Sequence, residues 1–492
     1  MATARHLDRL SGVDASFLLQ EGASTHMHIG AVATFEGPPP TYAEFLEHIG
    51  SRLASVPRYR QKIVEPPLRT GRPVWVDDPS FNLRYHVRHT ALPRPGGEEQ
   101  LTALTSRIFS QRLDRTKPLW ELWLVEGYER DRFALVNKIH HCLVDGVAGV
   151  DLMSILFDLE PVPRPADSDD RWQPAPEPSS AELLAAGVQG FLDAGWEIAG
   201  GLIGAALHPQ RTLERVRETA EGVGEMLWAA INPPPPTPLT EDIGSHRRFA
   251  AVRVRLEDFK AIKDAFGGTV NDVVLTVTTG ALSRFLTQRG VNTEGVSLRA
   301  LVPVSVRTGA QQGALGNQLT QILCPLPVYI ADPVARLHYI RETMAQLKEA
   351  KQPVGASALV ALEDFSPPTL LAQASRLHFS SRMYTLLVTN VPGPQIPLYV
   401  LGREMQEVIP VPFLGGRRAL AVAIMSYNGG VRFGLLGDYD SLPDLDVLAE
   451  ALSESLAELL ELARQEAATE RVTDPDVAAR ATARAPSNGN TD

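Results

Sequence analysis

Cysteine is nearly absent: the 492-residue chain has two, Cys142 and Cys324. Two thiols far apart in sequence make no disulfide framework, so the fold has to rest on packed cores, and a reducing compartment suits it. Positive charge is also short. Lys and Arg number 47 against 58 Asp and Glu, for a formal net charge of −11. No long basic run appears, which takes away the clustered cations that duplex nucleic acid requires. No uncharged apolar run reaches the roughly 18 residues of a membrane-spanning helix. The N-terminal stretch MATARHLDRLSGVDASF lacks the apolar core of a signal peptide. These absences predict a cytoplasmic protein, soluble or peripheral to a membrane, with no nucleic-acid partner.

What is present is core material. Hydrophobic residues make up 44% of a chain long enough for two or more domains. Two folded halves are expected, spanning 1–165 and 246–466, with a Pro-rich linker and amphipathic helices over 166–245 and a disordered tail over 467–492. In the first half, LWELWLVEG and FALVNKIHH read as strands joined by the turn YERDR, a hairpin. GVDLMSILFDL after them has helical spacing. The stretch EPVPRPADSDDRWQPAPEPSS cannot form a regular element. The segment 181–207 follows as a helix with a wide apolar side. It packs on its own protein or touches a lipid surface. In the second half, NDVVLTVTTGALSRFL reads as a helix and GVSLRALVPVSVR as a strand. RALAVAIMSYNGGVRFGLLGDYD reads as a hairpin around Asn-Gly-Gly, and LPDLDVLAEALSESLAELLELARQ as an amphipathic helix with a Pro-Asp start.

The stretch HHCLVDG, residues 140–146, carries the chemistry. If the strand before it is extended, Phe133, Leu135, Asn137, Ile139 and His141 fall on one face. Ala134, Val136, Lys138 and His140 fall on the other. The histidines then point opposite ways. That suits one general base standing alone in a cleft and does not suit a shared metal ion. No other His/Cys/Asp cluster has ligand spacing, so no metal is expected. Cys142 reads as a small buried hydrophobe rather than a nucleophile. Two satisfied core histidines remain the alternative at this level.

The wider sequence adds a resemblance. HHCLVDG matches the HHxxxDG motif of the superfamily that includes chloramphenicol acetyltransferase and the peptide-synthetase condensation domains. LSGVDASFL (10–18), YHVRH (85–89), PLW (118–120), ND (271–272), VPVSVR (302–307) and TNVPGP (389–394) stand in the order found in one branch, the bacterial wax ester synthase/diacylglycerol acyltransferases, and are similar to its motifs. The resemblance spans nearly the whole chain. It implies an α/β (α+β) fold of two chloramphenicol-acetyltransferase-like domains, each a mixed sheet with helices, with an active-site tunnel between them. It implies acyl transfer from long-chain acyl-CoA to a fatty alcohol, giving wax ester, or to diacylglycerol, giving triacylglycerol. Acyl-CoA is then a substrate and no cofactor is needed. Two alternatives stay open: another hydroxyl acceptor, or a non-catalytic lipid-binding relative.

The same resemblance assigns roles. His141, in the HHxxxDG motif with His140, takes the acceptor hydroxyl's proton as oxygen attacks the thioester, with no acyl-enzyme. Asp145, followed by Gly146, is structural and pairs with an arginine, for which Arg307 is the candidate. Asn271 meets the developing oxyanion or positions the acceptor hydroxyl; otherwise it caps the helix that follows. Pro118, Leu119 and Trp120 shape the acyl channel or belong to the core. Pro392 and Gly393 form a rigid turn, and Asn390 lines the tunnel. Long apolar substrates imply a peripheral site on the inner membrane or on lipid droplets.

Overall fold

The computed structural model describes residues 8–143, 156–163, 172–185, 187, 231–305, 319–349 and 382–473. The strands are β1 (His28–Glu36), β2 (Gln61–Val64), β3 (Val74–Asp77), β4 (Val87–Ala91), β5 (Trp120–Tyr128), β6 (Arg132–His140) and β7 (Arg247–Arg255). They continue as β8 (Ser297–Ser305), β9 (Leu319–Pro327), β10 (Leu386–Pro392), β11 (Tyr399–Val400), β12 (Arg403–Val411), β13 (Leu420–Tyr427) and β14 (Gly430–Asp438). Two six-stranded mixed sheets result, ordered β11-β12-β1-β6-β5-β4 and β7-β14-β13-β10-β8-β9, beside a small β2-β3 ribbon. The mixed character comes from β4 running parallel to β5, and from β10 running parallel to both β13 and β8.

Local signals explain the hairpins. β5 and β6 pair antiparallel, with Glu129 and Asp131 at positive φ in the turn. β13 and β14 meet at Asn428 and Gly429, both at positive φ, as the Asn-Gly signal requires. The helix Val270–Gln288 is buried on nearly every side, which fits its Val/Leu/Thr/Ala run. The helix Leu445–Thr473 crosses it closely enough that a Cβ on Gly280 would lie 2.2 Å from Ser455 Oγ. That second helix continues beyond Glu466 to Thr473, so the polar change of sequence at 466 does not end it.

The chain path interlocks the halves. β12 comes from the second half yet pairs antiparallel with β1, from Gly30 opposite Val411 to Phe35 opposite Met405. On its other side β12 presses on β14: a Cβ on Gly434 would sit 1.7 Å from Pro410 O. Glu407 on β12 then takes hydrogen bonds from Arg253 at 2.8 Å and Arg432 at 2.7 Å, tying it to the second sheet. The helix Glu98–Ser110 reaches the same way, its Ser106 and Ser110 hydroxyls accepting the Phe249 and Arg247 amides at the outer edge of β7. Of the segment 181–207, residues 181–185 and 187 are described. Leu183 buries there against Val74 and Val76 of the ribbon, and the rest of the apolar face lies outside the described residues.

Candidate active site

β6 ends at His140, and His141 opens a single 3-10 turn, His141–Leu143. Both faces of β6 are largely buried, and Ala134, Val136, Lys138 and His140 share one of them. Lys138, 1% exposed, follows that face under the helix Glu98–Ser110 and donates to Ile108 O (3.0 Å) and Gln111 O (2.7 Å). It thus satisfies carbonyls at that helix's C-terminal end. Burial brings its pKa down to about 8.

The two histidines take different surroundings, one as the last residue of β6 and the other in the turn that follows. His140 is wholly enclosed, 0% exposed. Its amide donates to Leu119 O at 3.0 Å. Its Nδ1 accepts the Cys142 N–H at 3.2 Å and lies 2.9 Å from Cys142 Sγ. Its Nε2 faces Glu21 Oε2 at 3.9 Å, and its ring stands edge-on to His28, 5.8 Å between centres. Burial pushes its pKa down to about 3. This is the core histidine of the pair, bonded at Nδ1 and left without a hydrogen bond at Nε2 among the described residues, and placed to hold the turn rather than to meet a substrate.

His141 is half-buried. Its amide donates to Met27 O at 2.8 Å. The ring stacks on Phe17 (3.9 Å between centres, 20° between planes) and stands edge-on to Phe413 (5.4 Å, 84°). Nδ1 is enclosed, with no well-formed hydrogen bond among the described residues. Burial between the two phenyl rings lowers the pKa to about 4, offset in part by the residue's own carbonyl. The ring is therefore neutral at physiological pH, the form that accepts a proton. Cys142 is 1% exposed, and burial holds its thiol well above the usual range, so it is no thiolate nucleophile.

A second cluster forms at the start of the helix Val270–Gln288. Its N-cap is Thr269, not Asn271, which corrects one reading of that asparagine. Thr269 and Asp272 make a reciprocal capping box: the Asp272 carboxylate accepts the Thr269 N–H at 2.8 Å, and the Asp272 amide donates to Thr269 Oγ1 at 3.3 Å. Asn271 is released from that work. Its Oδ1 accepts from Asn390 Nδ2 at 3.4 Å, while its own Nδ2 is buried without a partner among the described residues. Asn390 lies near the end of β10. The turn beyond it is tight, because the Gly393 amide donates to Ser426 O at 2.9 Å and a Cβ there would come within 2.3 Å of that oxygen. Pro392 is exposed.

Pro118, Leu119 and Trp120 are buried behind the histidines. Trp120 Nε1 donates to Tyr59 O at 2.8 Å, and its ring stacks on His86 at 4.7 Å. The YHVRH motif thus meets the PLW motif in one aromatic stack. The structure brings PLW to His140 through the Leu119 carbonyl, and Asn271 to Asn390. Asp145, Gly146 and Arg307 lie outside the described residues. Phe17, Glu21, Met27 and Phe413 were not singled out from the sequence. Phe17 lies within LSGVDASFL, whose Ser11 caps the helix Gly12–Gln20, so this motif delivers the ring that stacks on His141.

Residues 10–274 match the wax ester synthase/diacylglycerol acyltransferase catalytic domain, and residues 315–460 match the C-terminal domain of the same family. The chain belongs to the wax ester synthase/diacylglycerol acyltransferase family. It is accordingly an O-acyltransferase. A putative diacylglycerol O-acyltransferase of Mycobacterium tuberculosis is 36% identical over 92% of this chain and 90% of its own length. A probable diacylglycerol O-acyltransferase of the same species is 32% identical over 94% and 98%. Among solved structures, the wax ester synthase/diacylglycerol acyltransferase of Marinobacter aquaeolei VT8 superposes with a TM-score of 0.66 at 26% identity, covering 93% of this chain and all of that one. The first condensation domain of the calcium-dependent antibiotic synthetase superposes at 0.58 with 17% identity, over 93% and 97% of the two chains, a likeness of fold. The family's two-domain acyltransferase fold is the one expected from the sequence motifs. No helix among the described residues is long and apolar enough to cross a membrane.

Proposed function

We propose that this O-acyltransferase moves a long-chain acyl group from CoA to the free hydroxyl of diacylglycerol, with His141 as general base and no covalent acyl-enzyme. The observation that carries the reading is the His141 ring itself. It is half-buried between Phe17 and Phe413 and kept neutral by that burial. A neutral imidazole takes the hydroxyl proton while the oxygen attacks the thioester carbon, then passes it to the departing thiolate. The unspent Nδ2 of Asn271 fits a donor for the developing oxyanion, since a buried N–H without a partner is costly unless a ligand oxygen meets it. The enclosed Cys142 supports direct transfer, because the nearest thiol is not available to carry the acyl group.

Diacylglycerol is favoured as acceptor by relatives at 36% and 32% identity that are named for it. A fatty alcohol is the second reading, favoured by the family description and by the Marinobacter neighbour's double name. Both acceptors reside in lipid, so the protein works at a membrane or droplet surface. The test is CoA release from palmitoyl-CoA by the full chain, with diolein and hexadecanol offered separately. Acceptor-dependent release is expected, falling roughly a thousandfold in His141→Ala. A folded His141→Ala protein with unchanged rate removes the general-base assignment. Acyl label retained on denatured wild-type protein removes direct transfer.

A further inference from the structure

One helix end serves both histidines. The helix Gly12–Gln20 puts Phe17 against His141, and four residues later its C-cap, Glu21, faces His140. The Glu21 amide closes the helix on Phe17 O at 3.2 Å, so the two side chains are held by the same turn. Glu21's carboxyl is 2% exposed, an unusual place for an acid with no shape to fill.

The protons on His140 follow from its neighbours. Nδ1 accepts the Cys142 backbone N–H, so Nδ1 carries no proton. A neutral ring then carries its proton on Nε2, which is buried and points at Glu21 Oε2. The 3.9 Å gap is too short for a bridging water and about 1 Å longer than a charge-assisted hydrogen bond. Bonds of this kind are often long in unliganded enzymes and tighten when substrate binds. Burial raises the Glu21 pKa above the usual carboxylate range, and Arg115, 3.7 Å from the same oxygen, offsets part of that cost of the buried negative charge.

We propose that Glu21 is a positioning residue for acyl transfer: its carboxylate accepts the Nε2–H of His140, locks the tautomer whose Nδ1 receives the Cys142 N–H, and so fixes the turn that presents His141. The proposal rests on His141 being the base. With the tautomer fixed, the Cys142 amide has a permanent acceptor, and the 141–143 turn cannot swing away from Met27 O and the two phenyl rings. Without Glu21 the buried Nε2–H has no acceptor among the described residues. The ring then gains by moving its proton to Nδ1, where it collides with the Cys142 N–H and loosens the turn.

The test uses the full chain with ¹⁵N-labelled histidine. Ring ¹⁵N–¹H correlation spectra, with His140 assigned by its loss in His140→Asn, show which nitrogen holds the proton. The expected wild-type ring at pH 7 is neutral and protonated on Nε2; protonation on Nδ1 overturns the proposal however the variants fold. Glu21→Leu is expected to lower kcat roughly 10- to 100-fold while leaving KM for both substrates within about threefold, and to mix the His140 tautomers. Glu21→Gln keeps an acceptor and is expected to restore both tautomer and rate. Full activity in Glu21→Leu, a slow Glu21→Leu enzyme with an unchanged His140 ring, or failure of Glu21→Gln to rescue overturns the proposal. Full activity in His141→Ala would instead remove the general base and leave the tautomer result standing.

Discussion

The two clusters of candidate site residues are built in opposite ways. The histidine cluster at the end of β6 is packed: His141 lies between phenyl rings, and His140 has a neighbour at each ring nitrogen. The asparagine cluster is polar and unspent. Thr269 and Asp272 take over the helix cap, which leaves the Asn271 Nδ2 buried and unpartnered. A general base must be held neutral and in one orientation, and packing does that. An oxyanion donor must keep its hydrogen bond in reserve until charge develops, and a cap delegated to its neighbours does that. The packed cluster should therefore couple activity to stability, and the polar one should not.

The largest expected effect that separates them is kinetic. Asn271→Ala should lower kcat about 100-fold, the typical loss of one oxyanion-hole donor, with little change in acceptor KM. It should lower the melting temperature only slightly, because the Nδ2 removed has no protein partner among the described residues and the one side-chain bond lost is the long 3.4 Å contact of Oδ1 with Asn390. His141→Ala should lower both rate and melting temperature, since it opens a cavity between Phe17 and Phe413. Steady-state kinetics beside a thermal melt decide it. A rise in acceptor KM at constant kcat would move Asn271 from oxyanion donor to hydroxyl positioning.

Acid should separate the clusters next. His26, His140 and His141 have folded pKa values of about 4, 3 and 4, lowered chiefly by burial. In the unfolded chain each titrates near 6.5. Between about 6.5 and 4 the unfolded state binds protons that the folded state refuses. Stability is complete above about 6.5 and falls as pH drops through that window, by up to about 1.4 kcal/mol per pH unit for each group. Asn271 and Asn390 do not titrate. Hydrogen exchange at pH 5 should therefore show residues 10–30 and 133–143 losing protection before residues 270–288. Simultaneous loss in both regions would mean that the interlocked sheets open as one unit and that burial is not the difference.

How much of this was legible depends on how local each feature is. The β5–β6 and β13–β14 hairpins and the helix Val270–Gln288 follow from alternation, Asn-Gly chemistry and helical spacing within short windows. The different surroundings of His140 and His141 coincide with the strand's end, since His140 closes β6 and His141 opens the 3-10 turn. What brackets the histidines does not. Phe17 and Glu21 reach them through the packing of the helix Gly12–Gln20, about 120 residues earlier in the chain. Phe413 arrives just beyond β12, a strand that the second half lends to the first sheet. β12 reads REMQEVIPV, with its last five residues all buried, so it lacks the alternation that marks a strand with one wet face. Its register against β1 is set by contacts some 370 residues away. The HMHIG stretch (26–30) holds Met27, whose carbonyl anchors His141, but a backbone acceptor leaves no trace in residue type.

The helix cap is legible in the sequence, two residues before Asn271. GTVND contains Thr269 and Asp272 at capping-box spacing, whereas Asn271 stands out through the ND motif, with the cap as its alternative role because asparagine favours N-caps. The smallest predicted effect tests the division of labour directly. Thr269→Ala removes the hydroxyl that accepts the Asp272 amide and should cost about 1 kcal/mol of stability. If the cap exists to free Asn271, the loss should also reach the chemistry. The amide of the first turn loses its acceptor, Asn271 is drawn toward the vacant cap, and its Nδ2 is no longer held in reserve. A kcat that falls while acceptor KM stays constant, restored in Thr269→Ser, would join cap and donor into one device. A protein less stable but equally fast would show that the cap only holds the helix, and that Asn271 keeps its place through Asn390.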